Sequence, residues 1–198
     1  MNKIVKIRKG LDIPLAGHAE KVFKDLDSTN YAVKPTDFIG VVPKLLVKEG
    51  DEVKAGTHLF FNKYQERILF TSPVSGKVSE IRRGEKRLLE EIRIEADNKN
   101  SYVEFGAADP EKISREEIVE KLINSGIWPL IRQRPYGIIA NPDNTPKAVH
   151  ISAFDTAPLA PDYDFIVNGQ GDYFQTGIDV LSKLSNGKVN LNISDKTK

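Results

Sequence analysis

Between Gly40 and Ile94 the sequence alternates short apolar segments with glycine-containing turns, and this pattern constrains the fold more than any other feature of the chain. Turns at Gly50-Asp51 and Ala55-Gly56 separate the apolar pieces of a first half, and a second half begins at Ser72-Pro73. Glycine adopts a positive φ without steric cost, so short apolar runs bounded by such turns are typical of hairpins. The pattern predicts a small β-barrel.

The two halves of this pattern resemble the two halves of a biotinyl or lipoyl carrier domain. Val-x-x-Gly-Asp-x-Val-x-x-Gly-x-x-Leu begins at Val47, and Ser-Pro-x-x-Gly-x-Val-x-x-Ile begins at Ser72. A carrier domain has its modified lysine in the hairpin between the halves, flanked by Met or by Asp and Ala. The only lysine in that hairpin is Lys63, and it has neither flank. The barrel is therefore expected to hold partners; a lipoylated or biotinylated Lys63 is the alternative, which an intact-mass measurement would detect.

Charge and cysteine content exclude several classes of function. The 198-residue chain has a formal net charge of +1 and 29% charged residues of both signs, so it has no nucleic-acid-binding footprint. The absence of cysteine excludes disulfides, thiolate nucleophiles and cysteine-ligated zinc or iron–sulfur centres. No apolar run approaches the ~20 residues of a membrane helix. Residues 1–9 alternate charged and β-branched side chains, which predicts a strand at 4–7 rather than a signal segment.

The predicted fold class is α+β. In the connecting region after the barrel, residues 102–105 alternate as an edge strand; Ser114 and Glu117 have the spacing of a capping box, and Gly126 is the expected end of the helix. We predict four segments: an N-terminal strand and loop (1–39), a biotinyl/lipoyl-like barrel-sandwich hybrid domain (40–97), a connecting strand, helix and Arg/Pro loop (98–147), and the beginning of a Rossmann-like α/β domain (148–198).

The last segment alternates strand and helix patterns. Apolar runs predict strands at 148–153, 164–168 and 188–193, and a helix at 173–184. Strands that alternate with a helix in this way are typical of a parallel sheet. A sheet that stops after three strands leaves an edge and a face uncovered, so we expect the chain to be a truncated part of a longer protein.

Seven short motifs occur in order along the chain: Lys9–Gly17, Gly50–Lys54, Thr71–Val78, Arg83–Arg87, Ser125–Trp128, Arg132–Pro135 and Asp155–Ala160. Each motif alone is weakly specific. Together they resemble the N-terminal part of the A-subunit family of the sodium-translocating NADH:quinone oxidoreductase (Nqr), and the resemblance extends over essentially the whole chain. Members of that family are typically more than twice this length, in agreement with the open sheet.

This resemblance implies a place for the chain in a respiratory membrane complex. The chain would be a cofactor-free peripheral subunit on the cytoplasmic face of the bacterial inner membrane. It would support electron transfer from NADH to ubiquinone coupled to Na+ export, with no catalytic step of its own. Its partners would be Nqr subunits B to F, several of them membrane-embedded, and these would hold the FMN, riboflavin, FAD and iron–sulfur groups.

A similar architecture occurs in the C subunit of the Rnf complex and in the flavin- and NADH-binding subunit of respiratory complex I. Those proteins have a glycine-rich loop after the equivalent helix, whose backbone amides bind cofactor phosphates. Here the segment 125–135 has a single glycine, and Gly169-Gln170-Gly171 lacks the third glycine of a dinucleotide fingerprint. We expect neither nucleotide nor FMN to bind, and an Rnf-like electron-transfer subunit is the second alternative.

The segment from Trp128 to Tyr136 is the candidate ligand site. Arg132 and Arg134 can donate hydrogen bonds to a quinone carbonyl or to a partner's carboxylate, and Trp128 and Tyr136 can form an apolar wall for the ring. The family resemblance implies a quinone-related role here, and it adds a second candidate, Phe38, Ile39, Gly40 and Val41. In the alternative interpretation, Trp128 and Tyr136 are inter-domain core and the arginines pair with nearby carboxylates.

Other polar residues are assigned to structural roles. Asp155 follows a predicted strand but has no titratable partner, so capping the next turn is its expected role. His18, His58 and His150 have no metal-ligand spacing, so we expect no metal site. The basic cluster Arg82, Arg83, Lys86 and Arg87 alternates with Glu85, Glu90 and Glu91; a solvated hairpin is expected, and docking of a subunit or of anionic headgroups is the alternative.

Overall fold

The computed structural model of the chain describes residues 15–17, 19–25 and 28–194. The predicted strand at 4–7, most of the Lys9–Gly17 motif and His18 lie outside the described residues. Within the described part, two antiparallel sheets form the barrel, one in the order β1-β7-β6-β3 and one in the order β2-β4-β5. The strands are β1 Asn30–Val33, β2 Pro43–Leu45, β3 Glu52–Val53, β4 His58–Asn62, β5 Gln65–Thr71, β6 Gly76–Arg83 and β7 Leu89–Ala96.

The barrel core is formed by apolar side chains from both sheets. Phe60 of β4 is fully buried and stacks on Phe70 of β5, with ring centroids 4.4 Å apart. Ile92 and Ile94 of β7 reach the same core from the other sheet and are also fully buried.

Buried residues alternate along β5, as expected for a strand with one face in a core. In β4 the consecutive residues Leu59 and Phe60 are both fully buried, so both faces of this strand are covered. The predicted barrel is confirmed, and β1 pairs with β7, with Tyr31 opposite Ile94. The hairpins expected at Gly50-Asp51 and Ala55-Gly56 are wrong, because both turns carry the chain from one sheet to the other.

Helix α1, Arg115–Asn124, begins and ends at the residues expected from the sequence. The Ser114 hydroxyl accepts a hydrogen bond from the Glu117 amide, and the Glu117 carboxylate accepts one from the Ser114 amide at 2.8 Å. Gly126 follows with φ +74°, the left-handed conformation that ends many helices. One helix face, with Ile118, Val119 and Ile123, is buried against the barrel.

A short hairpin follows α1. A 3₁₀ turn, Trp128–Leu130, leads into β8, Arg132–Gln133, which pairs antiparallel with β9, Ile138–Ile139. The ring of Trp128 is buried in the core, and the 3₁₀ turn packs on β5. This hairpin therefore lies against the barrel at the end of α1.

The α/β unit contains β10 Val149–Ser152, α2 Tyr163–Val167, α3 Gly171–Ser182 and β11 Val189–Asn192. β10 and β11 pair in parallel with Val149 opposite Val189, which confirms the predicted parallel sheet. Polar contacts join this unit to the start of α1. The Lys183 ammonium donates to the carbonyls of Glu111 and Ile113, and the Arg115 guanidinium donates to the Leu184 carbonyl.

Two predicted strands are wrong. Residues 164–168, predicted as a buried strand, lie mostly in helix α2, because the Asp162 side chain caps the helix by accepting a hydrogen bond from the Phe165 amide at 3.1 Å. Residues 102–105, predicted as an edge strand, form only a single parallel bridge between Tyr102 and Ala55. The Phe105 ring lies against Gly56 there, and this packing replaces a strand ladder.

A short N-terminal segment lies on α2 of the α/β unit. The Lys21 ammonium forms an ion pair with Asp162 at 2.7 Å, and the Phe23 ring stacks on Phe165 with centroids 4.7 Å apart. The hydrogen bond from Lys21 and that from the Phe165 amide hold the pKa of Asp162 below its usual value. We call residues 21–23 the N-terminal clip.

Candidate functional site

The first candidate segment, Phe38–Val41, is a tight turn between a 3₁₀ turn and β2. The Val41 amide donates to the Phe38 carbonyl at 3.3 Å, and Gly40 has φ +77°, a conformation that favours glycine. The Phe38 ring contacts the edge of Phe70 in the core, with centroids 4.8 Å apart. Ile39 is 62% exposed. The turn therefore anchors one apolar side chain in the barrel and presents the next to solvent.

The second candidate segment is the β8–β9 hairpin. The Gly137 amide donates to the Gln133 carbonyl at 2.9 Å, and the Arg132 guanidinium donates to the Gly137 carbonyl at 3.2 Å. These two hydrogen bonds hold the turn closed. Tyr136, at its tip, is 72% exposed. Arg134 is also exposed, and no residue in the described part of the chain forms a hydrogen bond or ion pair with its guanidinium.

The two candidate segments meet through Arg132 and Phe38. The central guanidinium carbon of Arg132 lies 5.9 Å from the centroid of the Phe38 ring, within the range of a cation–π contact. At an exposed position such a contact contributes about 0.5–1 kcal/mol. The structure thus brings two of the predicted site residues together from distant parts of the sequence. Ile39 directly follows Phe38, and Tyr136 lies at the tip of the hairpin that contains Arg132; both side chains are exposed.

Trp128 lies on the core side of the hairpin. Its ring is only 3% exposed, and its Nε1 donates to the Ala140 carbonyl at 2.8 Å. The indole therefore supports the hairpin from the core side. The inter-domain-core interpretation fits Trp128 but not the exposed Tyr136. The expected carboxylate partners of Arg132 and Arg134 are not found among the described residues.

The glycine after α1 has a packing role. A Cβ built on Gly126 would lie 2.3 Å from the Thr71 hydroxyl, so this position admits no side chain. The close approach is to the barrel, and the neighbouring residues Ile127, Trp128 and Pro129 are bulky. No group of three or more His, Asp or Glu side chains suited to a metal ion occurs within the described residues. His58 has a protein partner, since its Nε2 lies 2.8 Å from the Asn124 carbonyl.

The residues assigned to structural roles are placed as follows. Lys63 occupies the two-residue turn between β4 and β5, where its amide donates to the Val42 carbonyl at 2.8 Å and its side chain is exposed. Asp155 caps the next turn, as predicted, by accepting a hydrogen bond from the Ala157 amide at 2.8 Å. Neither environment indicates catalysis.

An ion-pair network on β6 and β7 includes part of the predicted basic cluster. Arg82 pairs with Glu90 and Glu91, and Arg93 pairs with Glu80 and Glu91. Burial opposes ionisation of the Glu91 carboxyl, but the hydrogen bond and charge of Arg93, with the charge of Arg82, hold its pKa below the usual value. Arg82 is thus paired within the protein. The place of Arg93 in the network was not predicted; strand alternation was the available signal, because it puts Glu91 and Arg93 on one face.

A polar cleft of 530 Å³ lies beside β3 and β6. Lys54, Lys77 and Lys99 line it together with Glu95 and Asp97, so positive and negative charges are mixed. Hydrogen bonds from the Ser75 hydroxyl and the Lys99 amide lower the pKa of Asp97. The Asp97 carboxylate already has partners within the protein, and the cleft has no uniform charge that selects a ligand.

The fold is a two-sheet barrel joined by α1 to a parallel α/β unit, which is the architecture of a barrel-sandwich hybrid domain followed by an α/β domain. Residues 5–97 match the NqrA N-terminal barrel-sandwich hybrid domain, and residues 113–198 match the NqrA second alpha/beta domain. The chain belongs to the NqrA family. These matches favour neither a carrier domain nor an Rnf-type subunit.

Curated relatives agree with this family. Proteins named as the A subunit of Na(+)-translocating NADH-quinone reductase are 38% identical in Yersinia pseudotuberculosis and 39% identical in Photorhabdus laumondii, each over 191 residues and 95% of this chain. The Vibrio vulnificus protein of that name is 40% identical over 189 residues, 94% of this chain. The chain spans 43% of the first two relatives and 42% of the third. Among the described residues, none of the helices has the length and apolar character needed to cross a membrane.

Proposed function

We propose that the chain acts as a peripheral, cofactor-free subunit of a sodium-translocating NADH:quinone reductase. In that role it supports electron transfer from NADH to ubiquinone, coupled to Na+ export, without performing a redox step. The similarity to relatives named as the A subunit of such a reductase supports this role. The bulky segment after α1 supports it too, because its single glycine is used for contact with Thr71 and leaves no room for a phosphate-binding loop.

The assembly is part of the same proposal. Subunits B to F would surround the chain, several of them membrane-embedded, and would hold FMN, riboflavin, FAD and iron–sulfur groups. The chain would lie on the cytoplasmic face of the bacterial inner membrane. In this proposal the barrel holds partner subunits and carries no prosthetic group on Lys63, whose turn is short and tied by its amide to the Val42 carbonyl.

The junction of Phe38 and Arg132 is the observation on which a quinone-binding contribution rests. The Arg132 guanidinium already lies against an aromatic ring and donates to one carbonyl, and it has further N–H groups for a quinone carbonyl. The exposed side chains of Ile39 and Tyr136 supply apolar contacts for a quinone ring. Arg134, which has no partner among the described residues, is a second donor on the same hairpin.

Titration of the chain with a short-chain, water-soluble ubiquinone tests this contribution. In NMR spectra, the amides of Ile39, Gly40 and Tyr136 should shift in a saturable way. Arg132→Ala should weaken binding by about tenfold or more, because a hydrogen bond from a charged donor contributes about 1.5–3 kcal/mol.

Two control variants remove side chains of the same types, an arginine and an isoleucine, at positions outside the candidate segments. Arg87→Ala removes an exposed arginine from the β6–β7 hairpin, and Ile193→Ser removes an exposed isoleucine from the α/β unit. Both should bind the quinone as the unaltered chain does. Shifts spread evenly over the surface, or equal losses in Arg87→Ala and Arg132→Ala, would reject the site.

A further inference from the structure

The β8–β9 hairpin and the turn before it expose several large apolar side chains. Leu130 is 70% exposed, and Ile127 and Ile138 are also exposed, in addition to Tyr136. They alternate with buried neighbours, since Trp128 and Ile139 lie in the core. We call residues 127–139 the hairpin finger. Its outward side chains contribute little to the fold, which leaves them available for a contact outside the chain.

The base of the finger is held firmly. The Ala140 carbonyl accepts a hydrogen bond from the Trp128 indole, and the Ala140 amide donates to the Ile131 carbonyl at 2.9 Å. The Ile131 amide donates in turn to the Trp128 carbonyl at 2.9 Å. A tip fixed in this way loses little conformational entropy when it binds, so its apolar side chains act as preorganised anchors.

The charged residues within the finger have one sign. No Asp or Glu occurs between Glu120 and Asp143, which is the longest such gap in the chain, while Arg132 and Arg134 lie within it. Neither arginine forms an ion pair with a residue in the described part of the structure. The finger therefore combines exposed aliphatic and tyrosine side chains with uncompensated positive charge.

Two other exposed apolar residues have negatively charged neighbours in the sequence. Leu159 is 89% exposed and Tyr173 is 80% exposed, but Leu159 lies between Asp155 and Asp162, and Tyr173 is next to Asp172. Apolar exposure alone does not distinguish the finger from these positions. The sign of the neighbouring charge distinguishes them, because only the finger has the positive charge that complements an anionic surface.

We propose that the hairpin finger docks the protein on an anionic lipid surface. Arg132 and Arg134 would face phosphate headgroups, while Leu130, Tyr136 and Ile138 enter the interfacial region. Tyrosine and arginine suit this boundary because each has an apolar part and a polar end. The proposal does not depend on quinone binding, and vesicles that contain no quinone test it separately.

Flotation of the whole chain with vesicles is the first test. The chain should bind phosphatidylcholine vesicles containing about one-third phosphatidylglycerol, bind neutral vesicles much less, and dissociate as salt is raised. Arg134→Ala should reduce partitioning about fivefold. The double variant Leu130→Ser/Tyr136→Ser should reduce it about tenfold, and the matched control Leu159→Ser/Tyr173→Ser should leave it unchanged.

A second measurement does not depend on loss of binding. Because the chain contains no cysteine, Leu130→Cys and Leu159→Cys each introduce a single labelling site for an environment-sensitive dye. Anionic vesicles should blue-shift the emission of the dye at position 130 and leave the dye at position 159 unchanged. Equal binding to neutral vesicles, equal loss in the control double variant, or no shift at position 130 would overturn the proposal.

Discussion

Replacing Gly126 with alanine should destabilise the contact between α1 and the barrel for two separable reasons. The residue has φ +74°, and the left-handed conformation costs a residue with a Cβ about 1–2 kcal/mol. The new Cβ would also lie 2.3 Å from the Thr71 hydroxyl, 2.8 Å from its Cγ2 and 3.0 Å from its Cβ. Overpacking of this kind costs about 1–3 kcal/mol, so the total loss is about 2–5 kcal/mol.

Trp128 provides the assay. It is the only tryptophan in the chain, it is buried, and it lies two residues from the substitution. Urea unfolding followed by its emission should show a midpoint lowered by about 1–2 M with an unchanged slope. Gly177→Ala is the matched control, because Gly177 lies inside α3 and a Cβ there meets no heavy atom within 4 Å among the described residues. Urea unfolding followed by far-UV circular dichroism should show that the free energy of unfolding of this variant rises by up to about 1 kcal/mol.

A double variant separates strain from clash. Thr71→Ala removes the two closest atoms and leaves a single contact of 3.0 Å to the Thr71 Cβ. In the background of Thr71→Ala, Gly126→Ala should therefore cost only the backbone term of about 1–2 kcal/mol. The reasoning would be refuted if Gly126→Ala unfolded within about 0.5 kcal/mol of the unaltered chain. It would also be refuted if Thr71→Ala left the full cost of Gly126→Ala in place.

Three further predictions follow from local contacts. Ser114→Ala removes the helix cap and should lower the unfolding free energy by about 1 kcal/mol in thermal melts, with Ser114→Thr close to the unaltered chain. The folded-state pKa of Glu91 lies below its ordinary value of 4.5, so its ionised form stabilises the protein above that pH, and this contribution is lost as the pH falls. In thermal melts at decreasing pH, Glu91→Gln should therefore lose less stability than the unaltered chain. An equal loss in both proteins would contradict the pairing of Glu91 with Arg93. Trp128→Phe deprives the Ala140 carbonyl of its donor and should cost about 1–3 kcal/mol by urea unfolding followed by circular dichroism, and a neutral result would exclude a role for this hydrogen bond.

Elements that are specified by residues close together in the sequence were predicted correctly. Errors arose where the local pattern fits more than one structure. Glycine turns such as Gly50-Asp51 marked the ends of the barrel strands correctly, but not their pairing, because this turn joins β2 to β3 in the other sheet. Helix α1 depends on Ser114 and Glu117, three residues apart. The short apolar run at 164–168 fits a strand or a helix equally well by pattern. The contact that decides for the helix runs from the Phe165 amide to Asp162, a capping residue that lies just before the apolar run.

The contacts within the candidate site join distant parts of the chain and could not be predicted from the sequence. Arg132 was predicted from its chemistry and Phe38 from the family resemblance, but no periodicity or spacing indicates that these two side chains meet. Their contact depends on how the hairpin after α1 packs on β5, which is a property of the whole barrel. The burial of Trp128 is decided in the same way, because tryptophan is found both in cores and at ligand sites.

The N-terminal clip has a consequence for the order of events during synthesis. Lys21 and Phe23 leave the ribosome early, but their partners Asp162 and Phe165 are translated roughly 140 residues later, on the order of ten seconds at typical elongation rates. Until then the Phe23 ring has no α2 to stack on. The clip therefore closes only after the helix of the α/β unit has been made, and its formation on stalled nascent chains of increasing length would mark when that unit folds.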